Sequence, residues 1–315
     1  MVKKIRSQTV SRLKERHAEV SLQTLCGLFG YTRQAYYKHL RINSKHSLEE
    51  EVVLERIHSY RKLTPRIGGT KPHYLMNEAG YKISRKTLFS ILRTNSLLVR
   101  KRKKQAVTMD SRHWMKKYPN LIRGFDFDLP NLLWVSDITY IRVKGEFAYL
   151  SLITDAYSHK VVGYCLYHTL ESEGTIMALQ PAIDATSENK RIGLIHHSDR
   201  GSQYCCRDYV RLLKINHIRI SMTENGDPYE NAVAERMNGI LKAEWLDMEE
   251  YADFLQAKER ISQIINIYNQ VRPHASCSML TPMEAERHRG KLKKCWRKRK
   301  HKQKEIKIIP SRTDL

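Results

Sequence analysis

Between residues 132 and 245 the hydrophobic pattern switches between two periods. The run Leu132-Leu133-Trp134-Val135-Ser136-Asp137-Ile138-Thr139-Tyr140-Ile141 is almost continuously apolar and reads as a buried strand. Lys144-Gly145 predicts a tight turn into a second strand over Phe147–Thr154. A third strand is expected from about Lys160 to Leu166, so the three form an antiparallel meander. Helical spacing follows in Gly174–Ala185, where Ile176, Leu179 and Ile183 share a face. A fourth strand is predicted over Ile192–His197, a helix over Tyr204–Ile215, a fifth strand over His217–Ser221, and a last helix over Asn231–Trp245. On that last helix, at about 100° per residue, Val233, Met237, Ile240, Leu241 and Trp245 fall on one side. Glu235, Asn238 and Lys242 fall on the other, with Glu235 and Lys242 nearly stacked two turns apart.

The first hundred residues carry a helical pattern only. Ser21 is placed to cap a short helix with Leu22, Leu25 and Leu28 inward, Gly30 breaks it, and Thr32 caps a second helix through Leu40. Helix, glycine turn, helix is either an ordinary helical hairpin or a helix-turn-helix. In the second case Arg33, Gln34 and Lys38 lie on or near the exposed face that meets DNA. Ser47-Leu48-Glu49-Glu50 is a capping box that predicts a new helix to about Lys62. Lys71–Ala79, the Gly80 turn and a Ser84-capped helix to Arg93 form a second such candidate, exposing Arg85, Lys86 and Arg93. Residues 105–125 show little pattern beyond a short helix near Trp114–Tyr118.

Composition adds a partner. The net charge of +23 is unevenly spread: residues 1–125 hold 28 Lys+Arg against 8 Asp+Glu, residues 126–283 hold 15 against 21, and residues 284–315 hold 13 against 4. A mildly acidic middle therefore lies between strongly basic flanks. A merely soluble surface gives no reason for the sign to change along the chain, whereas a polyanion does, because each neutralised phosphate releases counterions. Arg100-Lys101-Arg102-Lys103-Lys104 is an unbroken basic run that reads both as a flexible joint and as a phosphate contact, Arg102 and Lys103 at its centre. In the basic tail, Trp296 is equally suited to stacking on a base and to local packing. No apolar run reaches the length of a membrane span and no signal peptide opens the chain, so a cytoplasmic, nucleoid-associated protein is expected. The six cysteines include no Cys-x-x-Cys pair, which favours buried thiols over a structural zinc.

The chemistry is carried by acids. Asp137 interrupts a buried apolar run, where a charge is costly unless it is paired or binds a metal. Asp199 sits at a strand end in IHHSDRGSQY, and Glu235 follows after 35 intervening residues on the first turns of a helix. Each taken singly has a bland reading as a solvated or turn carboxylate. Together, two acids leaving strands and a third projecting from a helix are what two hard cations need to clamp the attacking and leaving oxygens of a phosphodiester. Asp155 also ends an apolar run and rivals Asp137 as the first acid, although it sits as a turn residue beside Ser158. His196 and His197 are poor Mg²⁺ ligands and read as strand residues, one of them near a substrate phosphate.

The motifs WVSDITY, HSDRGSQY and NAVAERMNGILK resemble the three acidic motifs of DDE transposases with an integrase core, most closely the insertion-sequence-3 family, relatives of retroviral integrases. IYNQVRPH and LTPMEA further on are similar to that family's C-terminal signature, and the likeness covers about residues 126–287. One departure is Glu230-Asn231-Ala232, where many relatives carry Asp-Asn-Ala, at a position outside the family's metal ligands.

The resemblance implies an α/β, ribonuclease-H-like integrase core preceded by small all-α helix-turn-helix domains, with the first and fourth strands adjacent. The expected divisions are residues 1–42, 46–99, a basic linker 100–125, the core 126–287 and a basic tail 288–315. Asp137, Asp199 and Glu235 are then the catalytic residues and the ligands of two Mg²⁺ (or Mn²⁺) ions, and Lys242 contacts a phosphate. The implied partners are DNA, as the element's terminal inverted repeats and as target, and further copies of the chain. A ribonuclease-H-like nuclease and a DNA-binding regulator with an inactive core are the alternatives.

Overall fold

The computed structural model describes residues 2–30, 32–99, 113–124, 127–224 and 231–295. The chain divides into two compact units, residues 1–105 with Ala243–Trp245, and the remainder. Among the described residues no helix is long and apolar enough to cross a membrane. Arg102 and Lys103, residues 225–228 and Trp296 lie outside the described residues.

The first unit is helical: α1 (Val2–Arg16), α2 (Leu22–Leu28), α3 (Arg33–Leu63), α4 (Thr70–Glu78) and α5 (Arg85–Thr94). Both turn signals operate as expected. Ser21 accepts from the Thr24 N–H, Thr32 from Ala35 and Ser84 from Thr87, while Gly30 and Gly80 take left-handed φ of 68° and 87°. The expected break between residues 40 and 47 does not occur. With no Gly or Pro between Arg33 and Leu63, α3 runs straight through the Ser47 capping box, and only Thr64 before Pro65 stops it. One rod therefore serves two small cores. Val10, Leu25, Cys26 and Tyr36 pack at one end, and Val53, Ile57, Met76, Leu88 and Leu92 at the other. The Trp245 indole, fully buried, donates to the Leu63 carbonyl in the same unit (2.8 Å).

The second unit holds one five-stranded sheet, β1 (Leu133–Val143), β2 (Glu146–Asp155), β3 (Val161–Tyr167), β4 (Ile195–Ser198) and β5 (Arg219–Met222), in spatial order β3-β2-β1-β4-β5. β1, β2 and β3 are antiparallel neighbours, joined first through Lys144 and Gly145, both at positive φ as a two-residue hairpin turn requires. β4 and β5 run parallel to β1. The connections supply α6 (Ser172–Asp184), α7 (Glu188–Arg191), α8 (Ser202–Cys205) and α9 (Arg207–Ile215), then α10 (Ala232–Glu244), α11 (Phe254–Gln270) and α12 (Pro282–Arg287). Both sheet faces are covered, which explains the unbroken apolar runs. Trp134, Ile138 and Ile153 pack with Ala178, Leu179, Tyr209 and Leu213 of α6 and α9, whereas Leu133, Val135 and Ile195 pack with Ala234 of α10. Helix α6 comes so close to β3 that a Cβ at Gly163 would lie 2.2 Å from the Ala178 carbonyl oxygen.

Three local expectations fail for visible reasons. β4 starts at Ile195, not Ile192, because Gly193 turns the chain at φ 80° and leaves Ile192 exposed. The expected helix 204–215 is two, since Cys206 is extended and its sulfur accepts from the Tyr209 N–H, a capping role cysteine rarely advertises. Residues 113–122 form no helix. They lie along the sheet edge, where Pro119 accepts from the Met222 N–H (3.3 Å) and Leu121 N–H donates to Ser221 Oγ (2.9 Å).

Candidate active site

Strand periodicity places the first acid. Along β1 the odd positions Leu133 and Val135 face α10, so the next odd position, Asp137, faces it too. The parallel register Leu133↔Ile195, Trp134↔His196, Val135↔His197 then fixes its neighbour: two residues further along each strand stand Asp137 and Asp199. The adjacency expected of the first and fourth strands is present. Glu235 lies in the first turn of α10, the helix that covers this face, and is exposed.

The surroundings of Asp137, which is half-buried, are unusual for a carboxylate. Its Oδ1 accepts from the Ile138 N–H (2.9 Å) and its Oδ2 from the Asn238 amide (2.7 Å). Its pKa is pushed up to about 7, chiefly by burial, then by the Asp199 charge and least by Glu235, against those two hydrogen bonds. Burial also raises Asp199, whose Oδ1 accepts from the Gly201 N–H (2.9 Å). No described Lys or Arg forms an ion pair with Asp137, Asp199 or Glu235. Desolvated oxygens that repel one another and lack a cationic partner are a donor set suited to a hard cation.

Several supporting residues escaped the sequence reading. Asn238, one turn after Glu235, joins the helix to Asp137, and Asn231 donates to the Ser136 carbonyl (3.0 Å), so two buried amides tie α10 to the strand. Both sit on a polar helix face in the sequence, but which strand atoms they meet is a tertiary fact. Gly201 is needed for space, since a Cβ there would lie 3.0 Å from Asp199 Oδ1 and 2.8 Å from Gln203 Oε1. Ser136, beside Asp137, has its Oγ 3.1 Å from the buried Tyr204 hydroxyl.

The remaining candidates separate clearly. Asp155 is fully paired: it accepts from the Asn131 N–H (2.8 Å), the Ser158 N–H (2.8 Å) and the Ser158 hydroxyl, closing the turn after β2. His196 and His197 are buried against Tyr209 Oη (2.9 Å) and Ser221 Oγ (2.8 Å), so neither faces a phosphate. Lys242 is half-buried in the last turn of α10. Arg33, Gln34, Lys38, Arg85 and Lys86 are exposed at the starts of α3 and α5 in the first unit. In the C-terminal signature, Asn269 both accepts from the Val161 N–H and donates to its carbonyl (3.0 Å each), capping the free edge of β3 as a further strand would.

A tighter cluster lies elsewhere. Among the described residues, the ligand atoms of His159, His274 and Cys277 all fall within 4.8 Å of one another. The two rings are stacked, with centroids 4.6 Å apart and planes 14° from parallel, so their in-plane lone pairs run side by side instead of converging. Arg272, Arg236 and Lys294 make the surroundings positive and, after burial, help hold His159 down to about 4. That arrangement suits packing rather than a divalent ion.

The sequence profile described as "Integrase core domain" matches residues 128–228, and a second profile of the same description matches residues 216–282. The chain is 31% identical over 263 residues to the insertion element IS600 uncharacterized 31 kDa protein of Shigella sonnei, covering 82% of this chain and 96% of that protein. It is 26% identical over 280 residues to transposase InsF for insertion sequence IS3A of Escherichia coli K12, covering 87% of this chain and 96% of the relative. Among solved structures, the HTLV-2 integrase catalytic core domain in complex with magnesium is 21% identical at a TM-score of 0.40, covering 50% of this chain and 97% of that one.

Proposed function

This chain belongs to the insertion-sequence-3 family of DDE transposases, and on that premise we propose that Asp137, Asp199 and Glu235 form its reacting centre. The observation that carries the assignment is Asp137: a carboxylate raised to about 7, beside Asp199 and across from α10, with no ion pair to any described Lys or Arg. These three would hold two Mg²⁺ (or Mn²⁺) ions, which lower the pKa of the attacking hydroxyl and neutralise charge on the departing oxygen. Asn238 keeps the Asp137 carboxylate turned towards α10, and Asn231 and Gly201 set the helix and the Asp199 loop around it.

In cleavage, a water oxygen bonds to phosphorus as the bond to the 3′ oxygen breaks, leaving a 3′-OH and a 5′-phosphate. In joining, that 3′-OH attacks a second phosphodiester in the same way, one P–O bond forming as another is lost. No protein side chain becomes covalently attached. Lys242 contributes a phosphate contact near the scissile position. The exposed starts of α3 and α5, through Arg33, Gln34, Lys38, Arg85 and Lys86, recognise the terminal inverted repeats, with Arg102 and Lys103 contacting phosphates. One element end is first joined to the other, and the resulting circle inserts into target DNA. Two ends must be held together, so a dimer or larger assembly acts.

The test is incubation of the full chain with labelled element ends, Mg²⁺ and a target plasmid. Joined product is expected, and it disappears in Asp137→Asn, Asp199→Asn and Glu235→Gln while end binding persists. Cut but unjoined ends, or a bound and intact duplex, would overturn the assignment.

A further inference from the structure

The segment just before the sheet is anchored at several points, and its tryptophan is not one of them. His113 Nε2 lies 2.6 Å from the carbonyl oxygen of Arg200, the residue after Asp199. Met115 and Tyr118 pack against the core beneath α6 and α9, and Pro119 is hydrogen-bonded to Met222. Between the first two anchors stands Trp114, whose surface is 94% exposed. An indole held in water by a fastened backbone has both faces open to a ligand.

Its neighbours indicate which ligand. Lys116 and Lys117 are both exposed, Lys116 lying over the Tyr118 ring (5.6 Å). Lys117, Arg200 and Asp199 all bear electrostatically on the Cys205 thiol, which places the cations in the same neighbourhood as the acid. Cations beside a free aromatic face form a surface for single-stranded nucleic acid: phosphates on the lysines, a base on the ring. A base within a duplex hides both its faces in the stack, whereas a base at a strand end offers one. Cleavage next to Asp199 creates such an end there, and intact target duplex has none.

We propose that Trp114 stacks on the terminal base of the cleaved element end and holds its 3′-OH beside Asp199. The inference rests on Asp199 belonging to the reacting centre. It makes Trp114 a positioning residue, one that touches the base next to the reacting atoms.

The test uses the full chain and a pre-cleaved element-end duplex with 2-aminopurine as the base at the 3′ end. With target and Mg²⁺ both withheld no joining takes place, and fluorescence reads stacking by itself. Controls carry the probe six bases inside the end or in target DNA. Quenching by the wild type is expected at the terminal position only, lost in Trp114→Ala and retained in Trp114→Phe. With target and Mg²⁺ supplied, Trp114→Ala should join roughly tenfold less product and Trp114→Phe should stay within about threefold of wild type. Melting temperature should be unchanged in both, as the side chain is exposed. Quenching that survives Trp114→Ala, or appears with the target probe instead, overturns the proposal. So does a Trp114→Ala variant that changes sedimentation but not fluorescence, since the indole would then meet protein. Wild-type chain that quenches the terminal probe but joins nothing would leave this contact standing and remove the transposition chemistry.

Discussion

Asp137 and Asp155 stand in adjacent strands, three rungs apart, both in apolar runs, Asp155 buried and Asp137 half-buried. Around Asp155 the protein supplies every partner: three donors from Asn131 and Ser158, all within one turn and the residue that meets it. Around Asp137 it supplies two donors and then a second carboxylate, which is the opposite of neutralisation. Burial raises both carboxyls, and each has an acidic neighbour, Glu286 for Asp155 and Asp199 for Asp137. The contrast lies in the donors: three close the turn around Asp155, whereas Asp137 has two and adjoins the carboxylate at the end of the neighbouring strand.

Exchanging the two roles is the most direct way to break the contrast. Asp137→Asn, Asp199→Asn and Glu235→Gln should each lower strand transfer roughly a thousandfold with the fold intact, read by product formation and far-ultraviolet circular dichroism. Asp155→Ala leaves three donors without their acceptor and should cost about 2–4 kcal/mol in the urea unfolding of the second unit. Should a folded Asp155 variant be inactive and Asp137→Asn still join DNA, the two assignments must be exchanged.

The proton on Asp137 sharpens the same comparison. Its folded pKa of about 7 exceeds the ordinary value of 3.8, so between those limits the folded state binds the extra proton. Stability of the metal-free protein should therefore fall as pH rises from 4 to 7, by about 3 kcal/mol. Asp137→Asn should flatten that slope, and added Mn²⁺ should restore stability at pH 8. Strand transfer should decline as pH drops below 7. Gly201→Ala should reduce joining about tenfold with little loss of stability, because the new Cβ crowds Asp199 Oδ1 at 3.0 Å. The smallest effect is expected for Lys242→Ala, a few-fold rise in the DNA concentration needed at half-maximal rate.

What the sequence disclosed tracks how local each cause is. The Lys144-Gly145 turn, the Ser21, Thr32 and Ser84 caps and the three antiparallel strands each depend on residues a few positions apart, and they were legible. The acids were visible as charges in apolar company, but their placement side by side came from the family's motifs until the β1–β4 register supplied it. The Asn238 and Asn231 amides were visible on a polar helix face, but their partners, about a hundred residues away, left no trace in any pattern. The Ser47 capping box misled for a different reason. A capping sequence only lowers the cost of starting a helix, and it does nothing where the preceding turns are already helical.

That uninterrupted α3 has a geometric corollary. Its 31 residues make a shaft roughly 46 Å long at 1.5 Å per residue, with one small core packed near its beginning and the other against its end. Adding a single residue midway would swing the far core about 100° around the shaft. If both cores read DNA, as proposed, the recognition sequence would consist of two blocks with an unvarying gap, and length changes in that gap would be tolerated far less well than changes in its bases.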